Sequence, residues 1–167
     1  MPRIQDVLEQ VSTARRYTQD MLSHVDSELW FRQPAEGVTH IAWQVGHLAV
    51  AQYGLALKRV RGEQPADEEL IPRDFRKAFG MGSIPQADPA LNPAVDTIRS
   101  VFDKVYERVL AELPDLPAAV FEEPSDTPPH PMFQTKLGSV RWSAEHEFIH
   151  IGQIALIRRL LGQNWLR

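Results

Sequence analysis

The chain has 167 residues, of which 43% are hydrophobic and 24% are charged. This composition predicts one folded domain over residues 1–167 and excludes disorder throughout. Because the chain has no cysteine, disulfides, iron–sulfur clusters, cysteine-ligated zinc and a cysteine nucleophile are excluded. The net charge of −4 provides no general attraction to nucleic acid or anionic lipid, so we predict neither nucleic acid nor a membrane as a partner. With no membrane-spanning or signal-like apolar segment, we expect a cytoplasmic protein.

Four segments carry apolar residues at the spacing of an α-helix. They cover residues 4–25, 39–62, 92–113 and 139–161. The first is amphipathic, with Arg15 among the polar residues that lie between its apolar ones. The second is apolar around most of its circumference and is expected to be well buried. We predict Thr39 as the N-cap of the second helix.

Two long proline-rich connections, residues 63–91 and 115–138, separate the second, third and fourth helices. Connections of this length in a small domain are functional or contain short helices of their own. Asn92, followed by Pro93, is the predicted N-cap of the third helix. No run of alternating strands appears. The pattern predicts an all-α four-helix bundle with long connections between helices two and three and between helices three and four.

Two histidines of the fourth predicted helix, His146 and His150, stand in the motif HEFIH. Residues i and i+4 are neighbours on one helix face, so both imidazoles can reach one metal ion with Zn–N distances of about 2.0–2.1 Å. A helical projection places them on a stripe with Gln153 and Ile157 that faces inward. We therefore predict metal binding for this pair rather than a role as hydrogen-bonded core histidines. The residues predicted to flank the stripe are Trp142, Ile149 and Leu160.

The letters H-E-x-x-H are typical of zinc proteases in which the glutamate, here Glu147, is the general base. The chain after His150 contains no histidine, aspartate, glutamate or cysteine, so a third ligand has to lie upstream. His47 is the best candidate, because small and apolar residues share its face of helix two. Three histidine ligands with an open position describe a catalytic or substrate-binding metal site.

The remaining histidines receive other predictions. His40 lies two turns before His47, about 10 Å along the helix, so we expect it to cap the helix or to lie at the mouth of the site. His24 and His130 are predicted to be surface or loop residues. Gln44 and Gln153 lie about one turn from a proposed ligand and are candidates for orienting an imidazole.

The segments AWQVGHL and HEFIHIGQI, together with the order of the helices, resemble the DinB-like proteins, also called YfiT-like proteins. The resemblance covers nearly the whole chain. It implies a four-helix bundle in which His47, His146 and His150 bind one divalent ion, zinc or nickel. It also implies a homodimer formed through helices, here helices one and four, and chemistry on a low-molecular-weight thiol that the metal activates.

Three functions stay open at this point. The first is a metal-dependent transferase that uses a small thiol, and the second is a metal-dependent hydrolase with Glu147 as the base. The third is a non-catalytic, stress-related metal-binding bundle. A polar or charged thiol would need anchors. Five cationic side chains in or beside the two long connections are either such anchors or solvated surface charges: Arg73, Arg76, Lys77, Lys136 and Arg141.

Overall fold

A computed structural model describes residues 3–125 and 130–166 and confirms the all-α prediction. The helix that begins at Ile41 continues after Gln52 through a π-helical turn, Tyr53–Lys58, into Arg59–Arg61. Within the described ranges the only β-structure is a pair of isolated bridges in the second long connection. The helices are α1 (Ile4–Ser23), α2 (Ile41–Gln52 and its continuation), α3 (Asp67–Leu70), α4 (Arg73–Phe79), α5 (Val95–Glu112), α6 (Ala118–Glu122) and α7 (Lys136–Leu160).

The four long helices bury most of the apolar side chains that their sequences place on one face, although Ile149 and Leu160 of α7 are about half exposed. Helix α1 packs mainly against α7, and α2 packs against both α5 and α7. Every long helix contributes side chains to one common core. Burial of each such aliphatic side chain contributes about 1.5–3 kcal/mol to folding, so this core holds α2 and α7 against each other. Fully buried members of the core are Val11, Ala14, Val45, Val105 and Ile154.

The N-cap of α2 differs by one residue from the prediction. The cap is His40, whose Nδ1 accepts a hydrogen bond of 3.0 Å from the backbone N–H of Trp43. The hydroxyl of Thr39 instead accepts a hydrogen bond from the side-chain amide of Gln44. The imidazole thus takes the capping role that a threonine hydroxyl normally has.

The starts of α5 and α7 also differ from the prediction. Helix α5 begins at Val95, and Asn92 does not cap it, since its amide donates to the backbone carbonyls of Gln86 and Asp88 and closes the preceding loop. Helix α7 begins at Lys136 rather than Ser139, because the Thr135 hydroxyl accepts a hydrogen bond from the Gly138 N–H. In both places a tertiary or capping contact decided the boundary.

The two long connections contain short helices, as their length predicted. The first folds into α3 and α4, and the ring of Phe79 on α4 packs so closely on Gly46 of α2 that a Cβ there would clash with it. The second contains α6, and its residues 126–129 lie outside the described residues. Gly46 therefore allows α4 to approach α2 closely.

A buried arginine joins all four long helices, although its position in the sequence suggested a solvent-facing residue. Arg15 is 1% exposed, and its guanidinium donates to Glu147 Oε1 of α7 (3.1 Å), to the Phe102 carbonyl of α5 (2.9 Å) and to Gln52 Oε1 of α2 (2.9 Å). The Thr18 hydroxyl donates to the same Glu147 oxygen at 2.7 Å. Because its partners come from three other helices, Arg15 fixes their relative positions.

The His40 cap predicts a dependence of stability on pH. Its Nε2–H donates to the Gln86 carbonyl (2.9 Å), so Nδ1 can accept from Trp43 only while the ring is neutral. Burial lowers the pKa of His40 below its ordinary value of 6.5. A histidine with a lower pKa in the folded than in the unfolded state stabilises the protein above pH 6.5, and this contribution is lost as the pH falls below that value.

We therefore compare the metal-free protein with its His40→Asn variant, since asparagine is a pH-independent cap. The difference in free energy of unfolding between the two is expected to shrink from about pH 7.5 to about pH 5. Urea unfolding followed by circular dichroism measures it. A difference that stays constant over this range would contradict the role of the neutral ring.

Candidate metal centre

Three histidines from two helices converge at the contact of α2 with α7. One nitrogen from each of His47, His146 and His150 lies within 4.8 Å of the other two. The Nε2 atoms of His146 and His150, one turn apart on α7, are separated by 3.3 Å. The ring centroid of His47 lies 4.9 Å from that of His150 and 5.4 Å from that of His146. These are the three residues that the sequence motifs singled out.

The orientation of His150 is fixed by Gln44 on the facing helix. The Gln44 side-chain nitrogen donates to Thr39 and, at 2.8 Å, to Gln153 Oε1, so its oxygen accepts from Nδ1–H of His150. The proton on Nδ1 leaves the Nε2 lone pair of His150 facing His146. Gln44 therefore contacts a predicted ligand directly, whereas Gln153 acts only through Gln44.

His47 is held in the corresponding way by groups that sequence reasoning did not find. Its Nδ1–H donates to the Phe79 carbonyl of α4 at 2.9 Å, which leaves its Nε2 as the lone-pair nitrogen. Trp43, one turn earlier on α2, stacks on its ring with 4.7 Å between centroids and 6° between planes. The i, i+4 spacing of Trp43 and His47 was visible in the sequence. No local signal pointed to Phe79, because its carbonyl arrives from a separate helix.

The three imidazoles are neutral near pH 7 and suit a divalent cation. Burial, assisted by the neighbouring histidines, lowers the pKa of His146 to about 4 and that of His150 to about 3. Burial also lowers the pKa of His47. Two nitrogens bound tetrahedrally at about 2.0–2.1 Å from zinc lie about 3.3–3.4 Å apart, which matches the His146–His150 separation. The same two Nε2 atoms are within hydrogen-bond distance of each other, and a cation bound between them would use a lone pair of each.

Replacement of Gln44 by leucine is expected to weaken divalent-metal binding by roughly 10- to 100-fold, because the group that orients His150 is lost while side-chain volume is kept. Competition with a chromogenic chelator measures the affinity. Gln153→Leu should give a smaller loss, since this residue acts through Gln44. Gln19→Leu on exposed α1 surface is the unaffected control. Equal affinity of Gln44→Leu and wild type would show that the amide does not orient a ligand.

The other histidines lie outside the group. His40 caps α2, and His24 is exposed at the end of α1, where its ring contacts the Asp20 carbonyl at 2.8 Å. Both agree with the sequence predictions. His130 lies in the second connection, as predicted, but it also lines the pocket beside His146, which was not predicted. Its ring stacks on Phe133 with centroids 4.3 Å apart.

A pocket of about 630 Å³ opens onto His47 and His146. Its walls are largely apolar, and its cationic residues are Lys58 and Arg59 of α2. None of the five cationic anchors considered in the sequence lines it. Three of them have carboxylate partners instead: Arg76 pairs with Glu63 and Glu68, Lys136 with Glu123, and Arg141 with Glu145. The apolar wall is formed by Val50, Leu55, Met81 and Trp142.

Glu147 is adjacent to His146 in sequence but does not join the histidine group. Its carboxylate is 1% exposed and accepts hydrogen bonds from Arg15 and Thr18 of α1. A general base has to reach the attacking water within hydrogen-bond distance. A carboxylate engaged by α1 is poorly placed for this, which counts against Glu147 as the base.

The fold and the histidine group together define a helical protein with a candidate three-histidine metal site. The sequence model of the DinB superfamily matches residues 10–154, which include all three histidines. The chain belongs to the DinB superfamily. No curated protein matches it. None of the described helices is long and apolar enough to cross a membrane.

Proposed function

We propose that this DinB-superfamily chain is a single-domain four-helix bundle, residues 1–167, whose His47, His146 and His150 bind one divalent ion, zinc or nickel. We further propose that it is a metal-dependent transferase acting on a low-molecular-weight thiol. The observation that carries the proposal is the convergence of three neutral imidazoles beside a pocket of about 630 Å³.

The donor set and the pocket support this reaction class. Three histidine ligands leave a further coordination position, and the pocket gives a small molecule access to it. A divalent ion in such a site favours the thiolate form of a bound thiol, which is the nucleophilic form. Since the chain has no cysteine, the sulfur nucleophile has to come from a second molecule.

The atoms of the transfer balance without an oxidant. The thiol loses its proton to solvent, its sulfur lone pair forms a bond to an electrophilic carbon, and the leaving group departs with its bonding electrons. The residues of the chain orient the reactants: Gln44 and Phe79 hold two imidazoles in place, and Trp142 forms apolar wall of the pocket one turn before His146.

The test begins with elemental analysis of untagged protein and continues with turnover of 1-chloro-2,4-dinitrobenzene, which releases chloride, in the presence of glutathione, mycothiol or bacillithiol. Turnover is expected only when thiol and metal are both present, and His47→Ala should abolish it. Bound metal without turnover on any thiol would overturn the transferase and leave a non-catalytic metal-binding protein. Hydrolytic activity lost in Glu147→Gln with unchanged stability would instead favour the hydrolase.

We also propose that two copies of the chain associate through α7, with Tyr17 of α1 beside the contact. Four large apolar side chains share one face of α7 and are each between 44% and 57% exposed. The rings of Tyr17 and Phe148 lie 6.4 Å apart, which extends the apolar face onto α1. Exposed apolar surface of this kind is typical of an interface. The four residues are Phe148, Ile149, Leu156 and Leu160. Ile149 and Leu160, predicted to flank an inward-facing stripe, therefore face outward.

For this surface, Leu156→Arg is expected to convert a dimer to a monomer, because a charge would be desolvated at the centre of the contact. Light scattering after size-exclusion chromatography measures the mass. Leu91→Arg places the same charge at an exposed leucine outside this face and should leave the dimer intact. A monomeric wild-type protein would refute the association.

A further inference from the structure

The pocket beside the histidines is a groove that runs along one side of α2. The α2 residues that line it recur at helical spacing, from His47 through Gly54 to Lys58. At the rise of an α-helix, the eleven steps along the chain from His47 to Lys58 correspond to about 16 Å. The imidazoles therefore lie at one end of the groove and the cationic residues at the other.

The far end of the groove carries charged side chains of both signs, and Arg59 among them already contacts the Ser125 hydroxyl and the Phe133 ring. Lys58 and Arg59 line it together with one carboxylate, Glu63. Lys58 pairs with one Glu63 oxygen at 2.7 Å, and the other oxygen is engaged by Arg76 at 2.6 Å. Because Arg76 already holds Glu63, the exposed Lys58 can turn to an incoming anion without leaving that carboxylate unpaired.

The middle of the groove is apolar and open. Leu55 and Met81 form part of its wall, and a Cβ built on Gly54 would meet no atom within 4 Å. Gly54 lies in the π-helical turn of α2, where the Leu55 carbonyl accepts a hydrogen bond of 2.7 Å from the Ser139 hydroxyl of α7. This bond fixes the wall at the turn, so the space over Gly54 is part of the folded structure. π-Helical turns of this kind are frequent at functional sites.

We propose that the groove binds an extended organic carboxylate whose acidic group lies at Lys58, whose apolar chain lies over Gly54, and whose far end reaches the histidines. The inference rests on the proposed function in taking the reacting end of the ligand to be a thiol. The groove has a lysine at one end, an apolar middle and imidazoles at the other end. It therefore favours a molecule with an acidic group, an apolar chain and a metal-binding end in this order.

The first experiment compares two probes that differ only in charge, 8-mercaptooctanoate and 8-mercaptooctan-1-ol, by calorimetric titration of zinc-loaded protein. The carboxylate is expected to bind at least roughly 10-fold tighter than the alcohol, because it gains a charge-assisted hydrogen bond. Lys58→Gln should remove most of this preference, whereas Lys77→Gln, at an exposed lysine outside the groove, should keep it. Zinc affinity should be the same in both variants.

The second experiment fills the groove. Gly54→Leu should fold normally, because its side chain enters open space, but should weaken 8-mercaptooctanoate binding by at least 10-fold. Gly152→Leu is the matched control, since Gly152 is also helical with no atom within 4 Å of a built Cβ and does not line the groove. Thermal unfolding and zinc titration verify that both variants keep the fold and the metal.

The outcomes separate this inference from the proposed function. Equal binding of the two probes, or a Gly54→Leu variant that binds like wild type, would overturn the groove as a carboxylate site even if zinc binds. If zinc does not bind, octanoate and octan-1-ol are compared on the metal-free protein, and a preference for octanoate that Lys58→Gln removes would support the groove alone. The absence of that preference would refute it.

Discussion

His150→Ala is expected to reduce divalent-metal affinity by more than about 100-fold. This loss is larger than the one expected for Gln44→Leu, because Gln44 only orients a ligand. The variant removes a donor whose lone pair is aimed at the centre by Gln44, and the two remaining nitrogens cannot replace it. Zinc titration against a chelator measures the loss. His24→Ala, at an exposed histidine whose ring contacts the Ser23 hydroxyl and the Asp20 carbonyl, should bind zinc like wild type.

The same variant should lose the stabilisation that a bound ion provides. Zinc at about 100 times its dissociation constant is expected to stabilise wild type by about 2.7 kcal/mol, because it binds the folded chain preferentially. The melting temperature of wild type should therefore rise with zinc concentration, and that of His150→Ala should stay constant. An equal rise in both proteins would place the ion at another site and refute the three-histidine centre.

Arg15→Met is the substitution with the largest expected effect on stability outside the metal site. Removing one partner of a buried ion pair leaves an uncompensated charge, here Glu147, and typically costs about 3–5 kcal/mol. Urea unfolding of the metal-free protein measures the change in free energy of unfolding. Arg16→Met, at the exposed neighbouring position, should change it by less than about 0.5 kcal/mol.

The double variant Arg15→Met/Glu147→Leu separates the cost of an unpaired charge from that of lost packing. An apolar pair of similar volume often restores the stability that a single substitution removes, so the double variant should be more stable than Arg15→Met alone. Two results would show that Glu147 has another stabilising partner. One is a loss of less than about 1 kcal/mol in the free energy of unfolding of Arg15→Met, and the other is a double variant less stable than Arg15→Met. Either result would reopen a role for Glu147 beyond helix packing.

The sequence by itself determined the parts of the protein that depend on local periodicity. Two histidines at i and i+4 share a face of any helix, so HEFIH predicted the proximity of His146 and His150 before any fold was known. The absence of ligands after His150 directed the search for a third nitrogen upstream to His47. The four long helices followed from apolar spacing, and the length of the two connections indicated that they are functional or contain short helices.

Only the tertiary structure decided which polar groups meet across helices. A helical pattern states which face a residue occupies, but not which residue faces it from a distant segment. The pattern therefore predicts a surface position for Arg15, although this residue joins four helices. It also allows Glu147 as a base, although the carboxylate faces α1. For the same reason the Phe79 carbonyl that orients His47, and the presence of Lys58 rather than Arg76 in the pocket wall, required the packed structure.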